Sequence, residues 1–234
     1  GYESFDGETE NDQIQNMWRN WLVSDTFEPG STFKTVTMVA ALQEGVVSDS
    51  DTFVCNGGVK FGNTTVKCWK REGHGTQTLA EVLKNSCNVG MMEIGERLGI
   101  EKLNEYIYKL GFGKTTGIDL PGESCGIMFD YKNFHELEQA TVAFGQGISV
   151  TPLQLVTAIC ACVNGGYLLQ PHILKEISNS SNNEIVEQVK KKVKRHVIKE
   201  ETSKKVRDAL ESVVTDGGGR NAYIDGYRIG GKTG

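Results

Sequence analysis

The chain carries no C-x-x-C pair, and its six cysteines (Cys55, Cys68, Cys87, Cys125, Cys160 and Cys162) are too sparse in 234 residues for a disulfide scaffold. No apolar run reaches the length that crosses a bilayer as a helix. Positive charge is not in surplus: 25 Lys+Arg stand against 30 Asp+Glu, and a net charge of −5 gives no long-range pull toward nucleic acid. Internal repeats and low-complexity segments are missing, and 38% hydrophobic with 24% charged residues excludes a disordered tail. No signal peptide or anchor is present: Gly1-Tyr2-Glu3-Ser4 is not a native start, and the chain stops at Lys232-Thr233-Gly234 directly after a strand-like stretch. Both ends are expected to be cuts in something longer. Glycine is the one excess, 28 residues in 234, well above an average usage of about 7%.

Hydrophobic spacing predicts a helix over Gln13–Trp21 and an extended stretch from Val23 to Glu28. Pro29-Gly30 breaks the chain, and a mostly apolar helix then opens at Ser31 and ends at Gly45. Short β segments occupy Thr52 to Lys67, split by turns at Gly57-Gly58 and Gly62-Asn63. Thr78-Leu79-Ala80-Glu81 is a capping-box pattern for a helix that Ser86-Cys87-Asn88 interrupts before Val89–Leu98 continues. Further helices are expected around Leu103, Ile107 and Leu110, from Pro152 to Cys162, and from Thr202 to Val214. Strands are expected around Leu168, Ile173–Ile177, Ile185–Val189, Val193–Ile198 and Tyr227–Gly231. The class is α+β, a helical block beside an antiparallel sheet. The basic run around Lys190-Lys191-Lys192 reads as an exposed strand or turn face, not a nucleic-acid site.

Three short motifs follow one another: Ser31-Thr32-Phe33-Lys34 (S-x-x-K), Ser86-Cys87-Asn88 (S-x-N) and Lys232-Thr233-Gly234 (K-T-G). Each alone is weak; Ser180-Ser181-Asn182 and Ser181-Asn182-Asn183 match S-x-N in a polar turn by chance. The setting gives the three their weight, since the first opens a buried helix, the second lies between helices and the third ends a strand. Such a set marks penicillin-binding proteins and class A β-lactamases. With Asp25-Thr26-Phe27-Glu28-Pro29-Gly30, Gly117-Ile118-Asp119-Leu120-Pro121-Gly122, Phe144-Gly145-Gln146-Gly147 and Val150-Thr151-Pro152-Leu153-Gln154, nearly the whole chain resembles class B penicillin-binding proteins of the elongation or spore-cortex type.

The resemblance implies a transpeptidase domain over residues 1–234, with the anchor, the N-terminal pedestal and the C-terminal strands lying outside it. It implies a D,D-transpeptidase that cross-links D-Ala-D-Ala stem peptides and is acylated by β-lactams. It also implies a place on the extracytoplasmic face of the bacterial membrane and a glycan-polymerising partner, with no cofactor required for the chemistry. Ser31, at a helix N-terminus, is then the nucleophile and Lys34, one turn later, the general base. Ser86 relays the proton, Asn88 bonds substrate and Lys34, and Lys232, Thr233 and Gly234 bind the terminal carboxylate. Blander roles exist: Ser31 and Asn88 as helix caps, Lys232 as a surface charge. A non-catalytic β-lactam sensor or scaffold and a Ser-Lys β-lactamase are the alternative functions. Cys87, where the motif elsewhere has Asp, favours the transpeptidases, and no Glu for a deacylating water is identifiable.

A second constellation is Cys55, Cys68 and His74 in the glycine-rich excursion, with Asp51 or Glu72 as a fourth ligand. A structural Zn²⁺, a Cys55–Cys68 disulfide and free buried thiols are all compatible with that spacing.

Overall fold

The structure, a computed structural model, describes residue 12 and residues 17–234. Of the helix predicted over Gln13–Trp21, residues 13–16 lie outside the described residues; Met17 and Trp18 are helical, Arg19 and Asn20 are not, and Trp21 opens a separate short helix, Trp21–Ser24, so Val23 and Ser24 are helical where an extended stretch was predicted.

The centre of the molecule is the helix that follows Pro29. A 3-10 turn, Gly30–Phe33, runs straight into an α-helix, Lys34–Glu44, which Gly45 ends in the left-handed conformation. Val36, Met38, Val39, Ala40 and Ala41 are buried on every side of this helix, because four others, Asn88–Leu98, Ile100–Lys109, Pro152–Val163 and Glu200–Thr215, pack around it. Full enclosure leaves Thr37 to find its partner inside, where its Oγ1 donates to the Ala143 carbonyl at 2.7 Å. Phe33, buried in the turn ahead of Lys34, anchors that turn in the core; truncating such a ring typically costs about 3–5 kcal/mol. Gly145 is required opposite it, since its φ is +86° and a Cβ there would lie 2.1 Å from the Gly30 carbonyl oxygen.

The excursion after this helix consists of two antiparallel pairs. β1 (Thr52–Cys55) pairs with β4 (Gly75–Thr78), and β2 (Gly58–Phe61) pairs with β3 (Thr64–Lys67). β4 is polar and has no strand pattern of its own; pairing with β1 makes it a strand and turns Gln77 inward. The pairs close on each other at two glycines, Gly57 and Gly73, where a Cβ would meet the Arg71 and Cys55 carbonyl oxygens at 2.0 and 2.1 Å. That backbone-on-backbone approach brings distant cysteines together.

The Thr78 capping box forms as predicted and starts the helix Leu79–Lys84. A short helix, Glu136–Val142, was not predicted, because half of it is polar. Helix Pro152–Val163 has its own capping box from Thr151 and Gln154. β5 (Tyr167–Gln170) pairs antiparallel with β8 (Lys192–His196), and β6 (Glu176–Ser178) with β7 (Ile185–Gln188). Among the described residues the eight strands lie in four antiparallel ladders of two, and the class is α+β. β8 is exposed throughout, as its basic run suggested.

The strand predicted over Tyr227–Gly231 is not one. A strand needs a ladder partner, and this segment instead lies on the Glu200–Thr215 helix: Gly231 N–H donates to the Leu210 carbonyl at 3.1 Å, and Arg228 Nε reaches both Glu211 oxygens at 2.9 and 3.0 Å. The consequence is positional, since Lys232 follows directly.

Candidate active site

Lys34 is a lysine with no exposed surface, a placement found almost only where the amine is paired. Its Nζ lies 2.7 Å from the Ser86 carbonyl, 3.0 Å from Ser86 Oγ and 2.7 Å from Asn88 Oδ1. Burial first, and then the nearby Lys232 ammonium, brings this amine down to about 7. A neutral amine has two N–H groups and one lone pair. The Ser86 carbonyl and the Asn88 amide oxygen can only accept, so they take the two N–H groups and the lone pair is left to take a proton, from the Ser86 hydroxyl beside it or from Ser31 one turn away. Lys232 Nζ approaches the same Ser86 Oγ from the other side, at 2.9 Å, and burial lowers it to about 8. Lys232 also reaches Thr233 Oγ1 at 3.3 Å.

Ser86 holds this place at the cost of backbone strain. Its N–H donates to the Leu83 carbonyl and the Cys87 N–H to the Val82 carbonyl, the paired bonds that close a helix with one left-handed residue. Glycine is usual there; Ser86 occupies it with φ +51°. We expect Ser86→Gly to melt about 2–4 °C above Ser86→Ala, because both lose the hydroxyl and only glycine relieves about 1 kcal/mol of strain. Both should acylate on the order of 10²-fold more slowly than the parent. Equal melting temperatures would remove the strain argument.

Ser31 lies in the 3-10 turn, partly exposed, and its carbonyl accepts from the Lys34 N–H. Among the described residues no hydrogen bond is recorded to its hydroxyl, which leaves that oxygen open to an incoming group at the N-terminal end of a buried helix. The sequence-predicted Lys34, Ser86, Asn88, Lys232 and Thr233 are thus joined in one network, with Ser31 one turn away on the same helical segment. Gly234 lies beside it, an added Cβ meeting Thr32 Cγ2 at 3.4 Å.

The second constellation also assembles, with one change of member. Cys55, Cys68, His74 and Cys87 bring ligand atoms within 4.8 Å of one another. Asp51 does not join them. It accepts from Ser48 N–H and Ser48 Oγ at 2.6 and 2.7 Å and pairs with Arg97 at 3.0 Å, so its carboxylate is committed to a turn and an ion pair. Glu72 is outside the group as well. Cys87 takes the place because the left-handed Ser86 reverses the chain and points the two neighbouring side chains to opposite sides: Ser86 to the lysines, Cys87 into the core, where its Sγ accepts from Gly90 N–H at 3.3 Å. A signal existed, since Cys87 follows His74 by the same thirteen residues that separate Cys55 from Cys68.

Cys68 Sγ lies 4.0 Å from Cys87 Sγ and 3.6 Å from His74 Nδ1. Tetrahedral zinc with bonds of about 2.3 Å to sulfur and 2.0–2.1 Å to nitrogen has ligand separations of about 3.8 and 3.6 Å. The Cys87 S–H, and behind it the N–H groups of Asn88, Lys70 and Val89, favour the thiolate of Cys68, whereas Cys87 is pushed up as the donor of the pair. Among the described residues the buried His74 Nε2 has no hydrogen-bond partner. A nest of donors around one sulfur and an imidazole Nδ1 at ligand separation from it suit a soft cation.

The fold, the two-lysine network and the serine ahead of it define a class, and the chain belongs to the penicillin binding protein transpeptidase domain family, which it matches over residues 1–234. It is 53% identical over 217 residues to stage V sporulation protein D of Bacillus subtilis, covering 92% of this chain and 34% of that protein. It is 34% identical to the peptidoglycan D,D-transpeptidase FtsI homolog of Mesostigma viride, covering 93% of this chain and 40% of the relative. The chain therefore spans well under half the length of these relatives. Among solved structures it superposes on the D,D-transpeptidase domain of a peptidoglycan glycosyltransferase from Eggerthella lenta with a TM-score of 0.86 at 27% identity, covering 96% of this chain and 58% of that one. The apo transpeptidase domain of Burkholderia pseudomallei penicillin-binding protein 3 gives 0.80 at 31% identity, covering 92% and 62%.

Proposed function

We propose that this domain is the serine acyl-transfer unit of a peptidoglycan D,D-transpeptidase, and that β-lactams acylate it. The observation that carries the reading is one hydroxyl between two amines: Ser86 Oγ at 3.0 Å from Lys34 and 2.9 Å from Lys232. Ser31 Oγ attacks the carbonyl of a D-Ala-D-Ala stem and its proton passes to neutral Lys34. The C–N bond breaks and the departing D-Ala amine takes that proton through Ser86; a neighbouring stem amine then takes the acyl group, the ester C–O bond to Ser31 breaks, and the amine's surplus proton returns through Lys34 to Ser31 Oγ. Lys232 and Thr233 hold the terminal carboxylate. The 53% identity to a sporulation protein supports the spore-cortex type over the elongation type. By the same family likeness the whole protein works at the extracytoplasmic membrane face beside a glycan-polymerising partner; among the described residues no helix is long and apolar enough to cross a membrane.

The test mixes the full-length protein separately with a chromogenic cephalosporin and with a D-Ala-D-Ala donor plus an amine acceptor. Stoichiometric acylation by the cephalosporin and release of D-Ala into a cross-linked product are expected. Rapid cephalosporin turnover would instead mark a β-lactamase, and acylation without peptide turnover a sensor.

For the sulfur cluster we propose a structural Zn²⁺ held by Cys55, Cys68, His74 and Cys87, neutralising charge and tying the excursion to the Ser86 loop. Protein never exposed to added metal is expected to contain about one zinc per chain. Chelation should lower the melting temperature by about 10 °C, the shift that roughly 4 kcal/mol of linkage gives a chain of this size. Cys87→Ser should lose the metal and Asp51→Asn keep it. Less than about 0.2 zinc per chain with no shift on chelation would end this proposal.

A further inference from the structure

Gln77 is a polar side chain in an apolar place. Alternate residues of β4 face opposite ways, so Thr76 and Thr78 meet solvent while Gln77 turns inward onto the face where β1 presents Phe53 and Cys55, and only 2% of its surface stays exposed. Its amide oxygen accepts from Asn85 Nδ2 at 2.9 Å. That bond turns the amide nitrogen the other way, and among the described residues this nitrogen has no hydrogen-bond partner. Leaving a buried donor without an acceptor costs about 1–3 kcal/mol. An apolar side chain of the same length would avoid that cost.

The neighbour able to use these donors is Cys87. The Gln77 amide stands beside this sulfur and favours its thiolate form. As a thiol, Cys87 points its S–H at Cys68 Sγ, 4.0 Å away, and already accepts from Gly90 N–H at 3.3 Å; a neutral sulfur is a weak acceptor for anything more. As a metal-bound thiolate it loses that proton and gains charge. Three thiolates around a divalent cation leave one negative charge in a buried cluster, and buried charge requires donors. Cys68 has the backbone N–H groups of Asn88, Lys70 and Val89. Cys87 has that of Gly90, and the unused amide of Gln77 lies beside it.

We propose that Gln77 is the donor that relieves charge at the metal centre: with a soft divalent cation bound, its amide N–H₂ donates to the Cys87 thiolate and strengthens retention of the cation. The inference deepens the structural-metal reading and rests on it. It also accounts for a glutamine at a position where strand alternation calls for an apolar residue.

Gln77→Met removes both N–H groups and keeps the length of the side chain. In the full-length protein, kept reduced, zinc affinity is read by competition with a chromogenic chelator, and Co²⁺ in place of zinc serves as a spectroscopic probe. The expected result is a zinc affinity lower by about tenfold. The sulfur-to-cobalt charge-transfer band should move to longer wavelength, because a thiolate without its donor gives up an electron more easily. The metal-free variant should melt within about 2 °C of the metal-free parent, since the thiol makes little use of the amide. Gln77→Glu keeps the acceptor for Asn85 and removes the donors; it should lose at least as much affinity, and it decides the matter if Gln77→Met fails to fold. Parental zinc affinity with an unmoved cobalt band would overturn the inference and leave the metal reading standing. So would a variant that melts lower without metal yet binds zinc as the parent does, the mark of a packing role. A parent that holds neither zinc nor cobalt would remove the metal reading and this inference with it.

Discussion

A Ser31→Ala protein is expected to form no covalent adduct with penicillin, whereas the parent gains one adduct mass that peptide mapping places on Ser31. The argument separates the two serines of the site. Ser86 Oγ has an amine on each side within 3.0 Å and is occupied as a relay. Ser31 is at the N-terminal end of the buried segment, its hydroxyl carries no recorded hydrogen bond among the described residues, and the helix dipole favours the oxyanion that forms there. Because the adduct is a bond to one atom, the loss should be complete. An adduct on Ser86, or one that survives in Ser31→Ala, would refute the assignment of the nucleophile.

Lys34→Met should slow acylation on the order of 10³-fold, within the range that a positioned general base supplies. Methionine keeps the unbranched stem, one atom shorter, and leaves the Ser86 carbonyl and Asn88 Oδ1 without their donor. The pH profile of the parent carries the same information. Lys34 acts as a base only when neutral, so the rate should rise as pH rises through about 7. Lys232 holds a carboxylate only when protonated, so the rate should fall as pH rises through about 8. The two together give a narrow bell between those values, read from acylation rates in a series of buffers. Both amines titrate below the ordinary 10.5 because folding buries them, so their burial costs stability at neutral pH and that cost fades as pH rises toward 10.5. A rate independent of pH from 6 to 8 would refute the role given to Lys34.

The grouping of the candidate network was legible in the sequence because its members announce themselves by local context. Pro29-Gly30 marks the turn before Ser31, Thr78 and Glu81 mark the helix before Ser86, and the three motifs keep their order. The metal group was half legible. Cys55, Cys68 and His74 were read from their place in one glycine-rich excursion, but Cys87 had already been read as the neutral middle of a motif. Only the left-handed conformation of Ser86, invisible in residue type, shows that the middle residue faces away from its neighbours. Asp51 was drawn in by proximity in sequence, and Arg97, far along the chain, holds it elsewhere. The last predicted strand failed for a related reason: Tyr227–Gly231 has strand composition, but a ladder is made by two segments, and its contacts are with a helix.

The alternation at Ser86-Cys87-Asn88 makes one short segment a shared wall between two chambers. Residues 86 and 88 furnish the side that meets Lys34, and residue 87 furnishes the side that gathers the sulfurs. A replacement of Cys87 that reshapes the first chamber therefore also takes a sulfur from the second.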